Sequence, residues 1–213
     1  MATKKITKKV LDANAETTAL NRIVVKRDDN GIDTRRDWDN LFKIWTGNNR
    51  HLANDDGAED PRVYDGNIPE VAKYKKGVYA LPLYAYIHSG MTVSLKPFND
   101  PWDSGVIGFI YADKEKIVKE LGLKRFDTKK AFAAAEGEVK ALDDSLQGYC
   151  YGYVHEKRTT ADDEWEEVNS CWGYLGENVI PEMLVDAGAA EDGVIIVDES
   201  GAMDGEVTME IVA

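Results

Sequence analysis

The stretch Leu95–Lys116, LKPFNDPWDSGVIGFIYADKEK, holds the strongest secondary-structure signals of the chain. Its apolar run VIGFIY is long enough for a strand that is buried on both faces. The run starts from a polar corner, DPWDSG, in which Asp-Pro and Asp-Ser-Gly are turn sequences. The charged sequence after the run predicts a helix, with Asp113 as N-cap and an apolar stripe of Ile117, Val118 and Leu121. A strand that leaves a tight turn and leads directly into a helix predicts a mixed fold.

On the N-terminal side the sequence predicts two further strands and a helix. Leu20–Arg27 reads as a short strand that ends at the turn sequence DDNG. Large apolar side chains recur at helical spacing between residues 34 and 47, which predicts a helix with tryptophans in the core. Val78–Gly90 reads as an aromatic-rich strand, in which Pro82 favours an edge position or a bulge. The first 19 residues are polar and read as a tail, helical near Lys8–Asn14.

On the C-terminal side the sequence predicts a long helix, a hairpin and a mixed ending. The Ala-rich segment from Asp127 to Gly148 has a helix cap at one end and a helix stop at the other. YCYGYVHEKR and EWEEVNSCWGYLG flank the polar turn TTADDE, which predicts a β-hairpin. NVIPEMLVDAG predicts a short helix, and two strands follow it. The expected fold class is α+β, a largely antiparallel sheet with two to four helices packed on it.

Length and composition suit a globular protein. The chain has 213 residues, of which 43% are hydrophobic, so a packed core is expected. We expect a flexible tail at 1–19, an α+β core domain at 20–176 and an acidic extension at 177–213 packed on the same domain.

No apolar run reaches the roughly 18 residues of a membrane span, and the start lacks the apolar core of a secretory signal. Two cysteines are too few for a disulfide framework, so a cytoplasmic protein with reduced thiols is expected.

The charge is distributed unevenly along the chain. Residues 1–130 contain 23 Lys and Arg against 19 Asp and Glu, whereas residues 131–213 contain 3 against 20. The whole chain has a net charge of −13. So acidic a segment would repel nucleic acid and attract a basic protein surface or divalent cations. An acidic surface that serves only solubility is the alternative.

Several sequence blocks resemble a family of proteins from bacteriophages and other mobile elements. The blocks are HSG at 88–90, PWDSG followed by GFIY at 101–111, the YGY strand at 151–153 and SCWG at 170–173. DWDNLFKIW and NNRHLAND resemble weaker blocks of the same family, so the resemblance covers about residues 35–176. This chain departs from the pattern at Asn169, where the family has Asp, and in lacking the glycine after DNL. The resemblance implies a mobile-element origin, and hence the cytoplasm of a host bacterium, but no particular mechanism.

The polar corner has a chemical and a structural interpretation. Carboxylates with a histidine suit a divalent metal or general acid–base chemistry, so a metal-dependent hydrolase or nuclease would use His88, Asp100 and Asp103. The alternative is a turn in which Asp side chains accept backbone N–H bonds, with Trp102 covering the strand end. We favour the turn, and we expect no cofactor and no bound metal.

The hairpin strands carry other candidates. Cys171 would need His88 or His155 nearby to act as a nucleophile, and a buried structural thiol is the favoured alternative. Aromatic side chains alternate along both strands, which suits base stacking or core packing. The negative charge of this half favours packing in the core.

The acidic residues carry the main functional expectation. Spaced carboxylates can imitate the phosphates of a duplex, which fall about every 1.7 Å along its axis. We therefore expect an inhibitor that binds the basic surface of a host nucleic-acid-handling defence protein, such as a CRISPR or restriction complex, without binding nucleic acid itself. The expected contact residues are Asp143, Asp144, Asp162, Asp163, Glu164, Glu166, Glu167, Glu177 and Glu182. The metal-dependent enzyme, and a virion structural or assembly protein, are the alternatives; the oligomeric state is left open.

Overall fold

The computed structural model describes residues 3–47, 49–63 and 73–212. Its fold class is α+β, as predicted, with two mostly antiparallel sheets. The elements, in chain order, are β1 (Thr3–Asp12), β2 (Asn21–Arg27), β3 (Lys43–Trp45), β4 (Arg62–Val63), β5 (Lys73–Tyr74), β6 (Val78–Ile87), β7 (Met91–Ser94), β8 (Ser104–Asp113), α1 (Lys114–Glu120), α2 (Thr128–Leu146), β9 (Cys150–Lys157), β10 (Glu166–Leu175), α3 (Ile180–Asp186), β11 (Ile195–Asp198) and β12 (Glu206–Val212).

The chain divides into two compact units, and the second is contiguous in sequence. Unit 1 combines the residues up to Ile32 with those from Gly148 onward, and unit 2 is Asp33–Gln147. The boundaries predicted after residues 19 and 176 do not coincide with these units. Residues 177–213, expected as an extension, supply two of the strands in the unit 1 sheet. Among the described helices, none is both long and apolar enough to span a membrane.

Unit 1 is built on a six-stranded sheet with the order β10-β9-β2-β11-β1-β12. β11 is parallel to both of its neighbours, and the other pairs are antiparallel. The core on one face combines alternate side chains of the strands, such as Ile23, Val25 and Ile196, with Met183 and Leu184 of α3, and all five are fully buried. Alternation places every second strand residue on this face, where α3 and the residues that follow it, such as Ala189, cover the strands.

The predicted polar tail is instead strand β1. It pairs with β12 from Thr3↔Val212 to Lys9↔Glu206, and its last three residues pair with β11. The lysines remain compatible with a strand because Lys4, Lys5 and Lys9 are exposed, with Lys5 in a 2.7 Å ion pair with Glu210, and the half-buried Lys8 donates to the carbonyl of Val194 at 2.9 Å. The predicted helix near Lys8–Asn14 was therefore wrong: partners about 190 residues away decide this segment.

Unit 2 contains a four-stranded sheet with the order β3-β8-β6-β7, covered by helices. Its core includes Leu83 and Ile110 from the central strands and Ile117 from α1. One face of α2 completes the core with four apolar residues three or four positions apart: Ala131, Ala135, Val139 and Leu142. Asp127 caps α2 by accepting hydrogen bonds from the N–H groups of Lys129 and Lys130.

The predicted helix between residues 34 and 47 was wrong. The segment forms turns and the short strand β3, because carboxylates bind its backbone N–H groups. Glu138 of α2 accepts from the N–H of Leu41 at 2.7 Å, and Asp55 accepts from the N–H of Ile44 at 2.7 Å. Trp38, expected in the core, is instead 45% exposed.

Candidate functional site

The DPWDSG corner is a hydrogen-bonded turn at the entrance to β8. The Oδ1 atom of Asp100 accepts from the N–H groups of Trp102 at 2.8 Å and Asp103 at 3.0 Å. Ser104 closes the turn by donating its hydroxyl to the carbonyl of Asp100. The two backbone hydrogen bonds hold the pKa of Asp100 below its usual value. This carboxylate therefore serves the turn, as the structural interpretation predicted.

Two of the three candidate catalytic residues of this corner are in direct side-chain contact, and the third, Asp100, is engaged in the turn beside them. His88 Nδ1 lies 3.0 Å from Asp103 Oδ2, and both side chains are exposed to solvent. Across the described ranges, no group of three or more His, Cys, Asp or Glu side chains is arranged to hold a metal ion. Trp102 is 91% exposed, so it does not cover the strand end as predicted. The corner offers a solvent-exposed His–Asp pair.

The hairpin histidine and cysteine do not form a nucleophile and base. His155 Nε2 lies 2.5 Å from Asn21 Oδ1, and burial, together with the charge of Lys157, lowers the pKa of the imidazole. Cys171, expected to be buried, is exposed on β10 and interacts with the hydroxyl of Tyr174. Burial and the neighbouring thiol raise the pKa of that tyrosine.

The β9–β10 loop presents carboxylates at one end of the unit 1 sheet. Five exposed acidic residues lie in the loop and on the first residues of β10: Asp162, Asp163, Glu164, Glu166 and Glu167. No Lys, Arg or His nitrogen of the described chain lies within 4.0 Å of these carboxylates. We call these five residues the acidic hairpin. Their charges are therefore available to a partner.

The shape of the acidic hairpin is fixed at its base. The ring of Trp165 lies between two guanidinium groups, with Arg22 at 4.2 Å and Arg158 at 4.3 Å from its centre. Arg22 also pairs with Glu156 at 2.6 Å. Within the loop, Asp163 accepts a hydrogen bond from the N–H of Thr160 at 2.8 Å. The two stacked arginines are cation–π contacts, which hold the loop against the strands without neutralising its carboxylates.

A second acidic loop lies at the same end of the sheet. Lys157 of β9 is opposite both Glu166 of β10 and Asn21 of β2, and the next residue of β2 is opposite Ile195 of β11. The loop before β11 carries two exposed carboxylates, Glu191 and Asp192. Strand register thus brings these residues to the end that carries the acidic hairpin.

The remaining predicted contact residues lie elsewhere. Glu177 follows the far end of β10, about 30 Å from the hairpin for a strand of this length. Glu182 is exposed on α3. Asp143 and Asp144 belong to α2 of unit 2, where Asp143 accepts the N–H of Val93 and Asp144 accepts from Lys140. Of the seven predicted contact residues in unit 1, five make up the hairpin, and Glu177 lies a strand length away from it.

The two units differ in charge. Unit 1 contains 9 Lys and Arg against 20 Asp and Glu, a net charge of −11. Unit 2 contains 17 against 19, a net charge of −2. The acidity of the chain is thus concentrated in the unit that carries the hairpin.

Comparison with known proteins assigns no activity to this arrangement. No protein-family model matches the chain, and neither does any curated protein or solved structure. The geometry of the hairpin and the corner is therefore the basis for inferring a function.

Proposed function

We propose that the protein is a non-enzymatic binding protein that docks on a basic protein surface through the acidic hairpin. The observation that carries this proposal is a loop of fixed shape that exposes five carboxylates without ion-pair partners. A preformed loop loses little conformational entropy when it binds. Carboxylates that have no ion-pair partner before binding also do not have to break one, and they steer a basic partner towards the loop.

The proposed target is a nucleic-acid-handling defence protein of a bacterial host, such as a component of a CRISPR or restriction complex. The resemblance of the blocks at 101–111 and 170–173 to proteins of mobile elements supports a host target, since mobile elements are what such defences attack. The acidic hairpin supports a target whose working surface is basic, as a DNA-binding groove must be.

The proposed mechanism is occlusion of part of that groove. The hairpin carboxylates are grouped at one sheet end, and Glu177 lies a strand length away. A compact group of this kind suits a local block by charge and bulk, rather than imitation of a long duplex. Occlusion of this type requires no chemistry from the protein, in keeping with a corner whose Asp100 is engaged in a turn.

Capture from bacterial lysate tests this function. The full-length protein is immobilised, and bound proteins are identified at about 50 mM and about 300 mM salt, on either side of physiological screening. We expect capture of a DNA- or RNA-binding protein at the lower salt concentration and its loss at the higher one. Capture that is independent of salt, or restricted to acidic proteins, would contradict the proposal.

A further inference from the structure

The sequence around α1 is basic in a chain that is acidic overall. Residues 114–130 contain seven Lys and Arg against three Asp and Glu, a local charge of +4 within a chain of −13. This segment belongs to unit 2, whereas the acidic hairpin belongs to unit 1. Its charge fits a ligand of the opposite sign from the proposed partner of unit 1.

The end of α1 shapes an apolar surface within this basic segment. Gly122 adopts φ +61°, and its N–H donates to the carbonyl of Lys119 at 3.1 Å. The N–H of Leu123 donates to the carbonyl of Val118 at 2.8 Å. These two bonds form a Schellman motif, in which the chain folds back so that the residue after the glycine meets the last turn of the helix.

The returning chain completes a groove of about 410 Å³. Its apolar wall consists of Val118, Leu123 and Phe126, and the last of these is held by the ring of Tyr79 at 5.4 Å between centres. A volume of this size lies within the range of small-molecule sites. The apolar wall of the groove is therefore able to contact an alkyl or aryl group of a ligand.

The charged groups on the rim favour an anion. Lys114, Lys119 and Glu115 line the groove, and Lys119 also lies 3.9 Å from the exposed carboxylate of Glu120, a weak ion pair that a ligand carboxylate can replace. The ammonium of Lys114 lies 5.2 Å from the centre of the Phe126 ring, directly beside the apolar wall. A ligand seated on the wall would bring its charged end to this lysine, where an anion is attracted and a cation repelled.

We propose that this groove binds a small amphipathic anion, a carboxylate joined to an apolar body. The apolar body covers Val118, Leu123 and Phe126, and the carboxylate pairs with the ammonium groups of Lys114 and Lys119. Apolar burial supplies the affinity, and the lysines select the sign of the charge. This site is independent of the hairpin and of its partner.

Methyl NMR of the full-length protein with decanoate tests the proposal. We expect saturable shifts of the methyl signals of Val118 and Leu123. Acetate, which lacks the apolar body, should leave these signals in place, and decyltrimethylammonium, which has the same alkyl chain but the opposite charge, should bind at least about 5-fold more weakly than decanoate. The proposal is overturned if decanoate gives no saturable shift, or if decyltrimethylammonium binds as tightly as decanoate.

Substitutions test whether the two rim lysines contact the ligand directly or act only through the overall charge of the protein. Lys114→Met and Lys119→Met keep an apolar stem and remove one charge each, and we expect each to weaken decanoate binding about 5-fold, as for an exposed ion pair. Lys129→Met removes the same charge from an exposed residue of α2 that does not line the groove, and should leave the affinity unchanged. If all three substitutions change the affinity for decanoate equally, or if Lys114→Met and Lys119→Met leave it unchanged, the proposed contact of the rim lysines with the carboxylate is overturned.

Discussion

Asp143 illustrates how a single carboxylate of this protein serves the fold rather than a partner. The Oδ1 atom of Asp143 accepts from the N–H of Val93, and Gln147, the C-cap residue of α2, donates to the carbonyl of Met91 at 2.8 Å. Both bonds engage β7, which is the edge strand of its sheet. Side chains that bind an exposed strand edge prevent it from pairing with another chain.

The same residue gives a prediction about pH. Burial, assisted by the charge of Asp144, raises the pKa of Asp143 above its ordinary 3.8, although the hydrogen bond from Val93 opposes this. The folded chain thus holds this proton more tightly than the unfolded chain, so the free energy of unfolding falls as pH rises above 3.8 through the raised pKa. Asp143→Asn keeps an acceptor for Val93 and should remove this part of the pH dependence, as measured by urea denaturation at several pH values.

Asp143→Ala is the matched comparison, since it also removes the charge but leaves the N–H of Val93 without an acceptor. It should lower the free energy of unfolding at pH 7 by about 1–2 kcal/mol relative to Asp143→Asn. Equal stability of the two variants would mean that the hydrogen bond to β7 contributes nothing.

At the scale of elements, Arg35 organises the segment that had been expected to be helical. Its side chain is 8% exposed and pairs with Asp55 at 2.5 Å and Glu138 at 3.1 Å. It also donates to the carbonyl of Phe42 at 2.8 Å. Burial alone would lower the pKa of Arg35, but its bonds to the two carboxylates outweigh burial and raise it. The guanidinium therefore connects the loop before β3 with α2.

Arg35→Met should destabilise unit 2 by about 3 kcal/mol or more, because two partly buried carboxylates lose their shared partner. Arg36→Met is the control, since Arg36 is 82% exposed and lies 3.5 Å from Asp33; the expected loss there is about 0.5 kcal/mol or less. Urea denaturation monitored by tryptophan fluorescence measures both. Similar stability of the two variants would show that the Arg35 cluster does not hold the loop.

Elements with strong local patterns were predictable from the sequence, and elements formed by distant contacts were not. The β9–β10 hairpin and α2 follow from alternation, a polar turn and a capping Asp127. β1 has no such pattern, because Ile6 and Val10 are its main apolar side chains and its partners are distant in sequence. The acidic loop was predictable as a turn, whereas the separation of Glu177 from it depends on the direction of β10.

At the scale of the molecule, the chain is organised as one unit inserted in the sequence of another. Along the sequence, unit 2 separates the two segments that make up unit 1. It contains a core of its own, with Phe42, Ile44, Leu83 and Ile110 among its fully buried residues. Charge follows the same division, since unit 1 carries most of the net negative charge. The two proposed sites have opposite charge preferences and belong to different units.

A fragment of residues 33–147 should therefore fold by itself, because it holds the complete core of unit 2. We expect a cooperative urea transition and a near-UV circular dichroism spectrum typical of packed aromatic side chains. A non-cooperative transition with no near-UV signal would show that this core depends on the rest of the chain.

The measurement that tests the central claim most directly is partner binding by a charge-neutral acidic hairpin. The variant carries Asn or Gln at Asp162, Asp163, Glu164, Glu166 and Glu167. A control carries the same number of such changes at exposed carboxylates elsewhere, Asp29, Asp39, Asp56, Glu120 and Asp204.

Kd for the captured partner is measured by calorimetry over a range of salt concentrations for the wild type, the hairpin variant and the control. We expect the hairpin variant to lose at least about 10-fold in affinity, together with most of the salt dependence, whereas the control should stay near the wild type. Equal affinity of the hairpin variant and the control would contradict the claim that this loop carries the function.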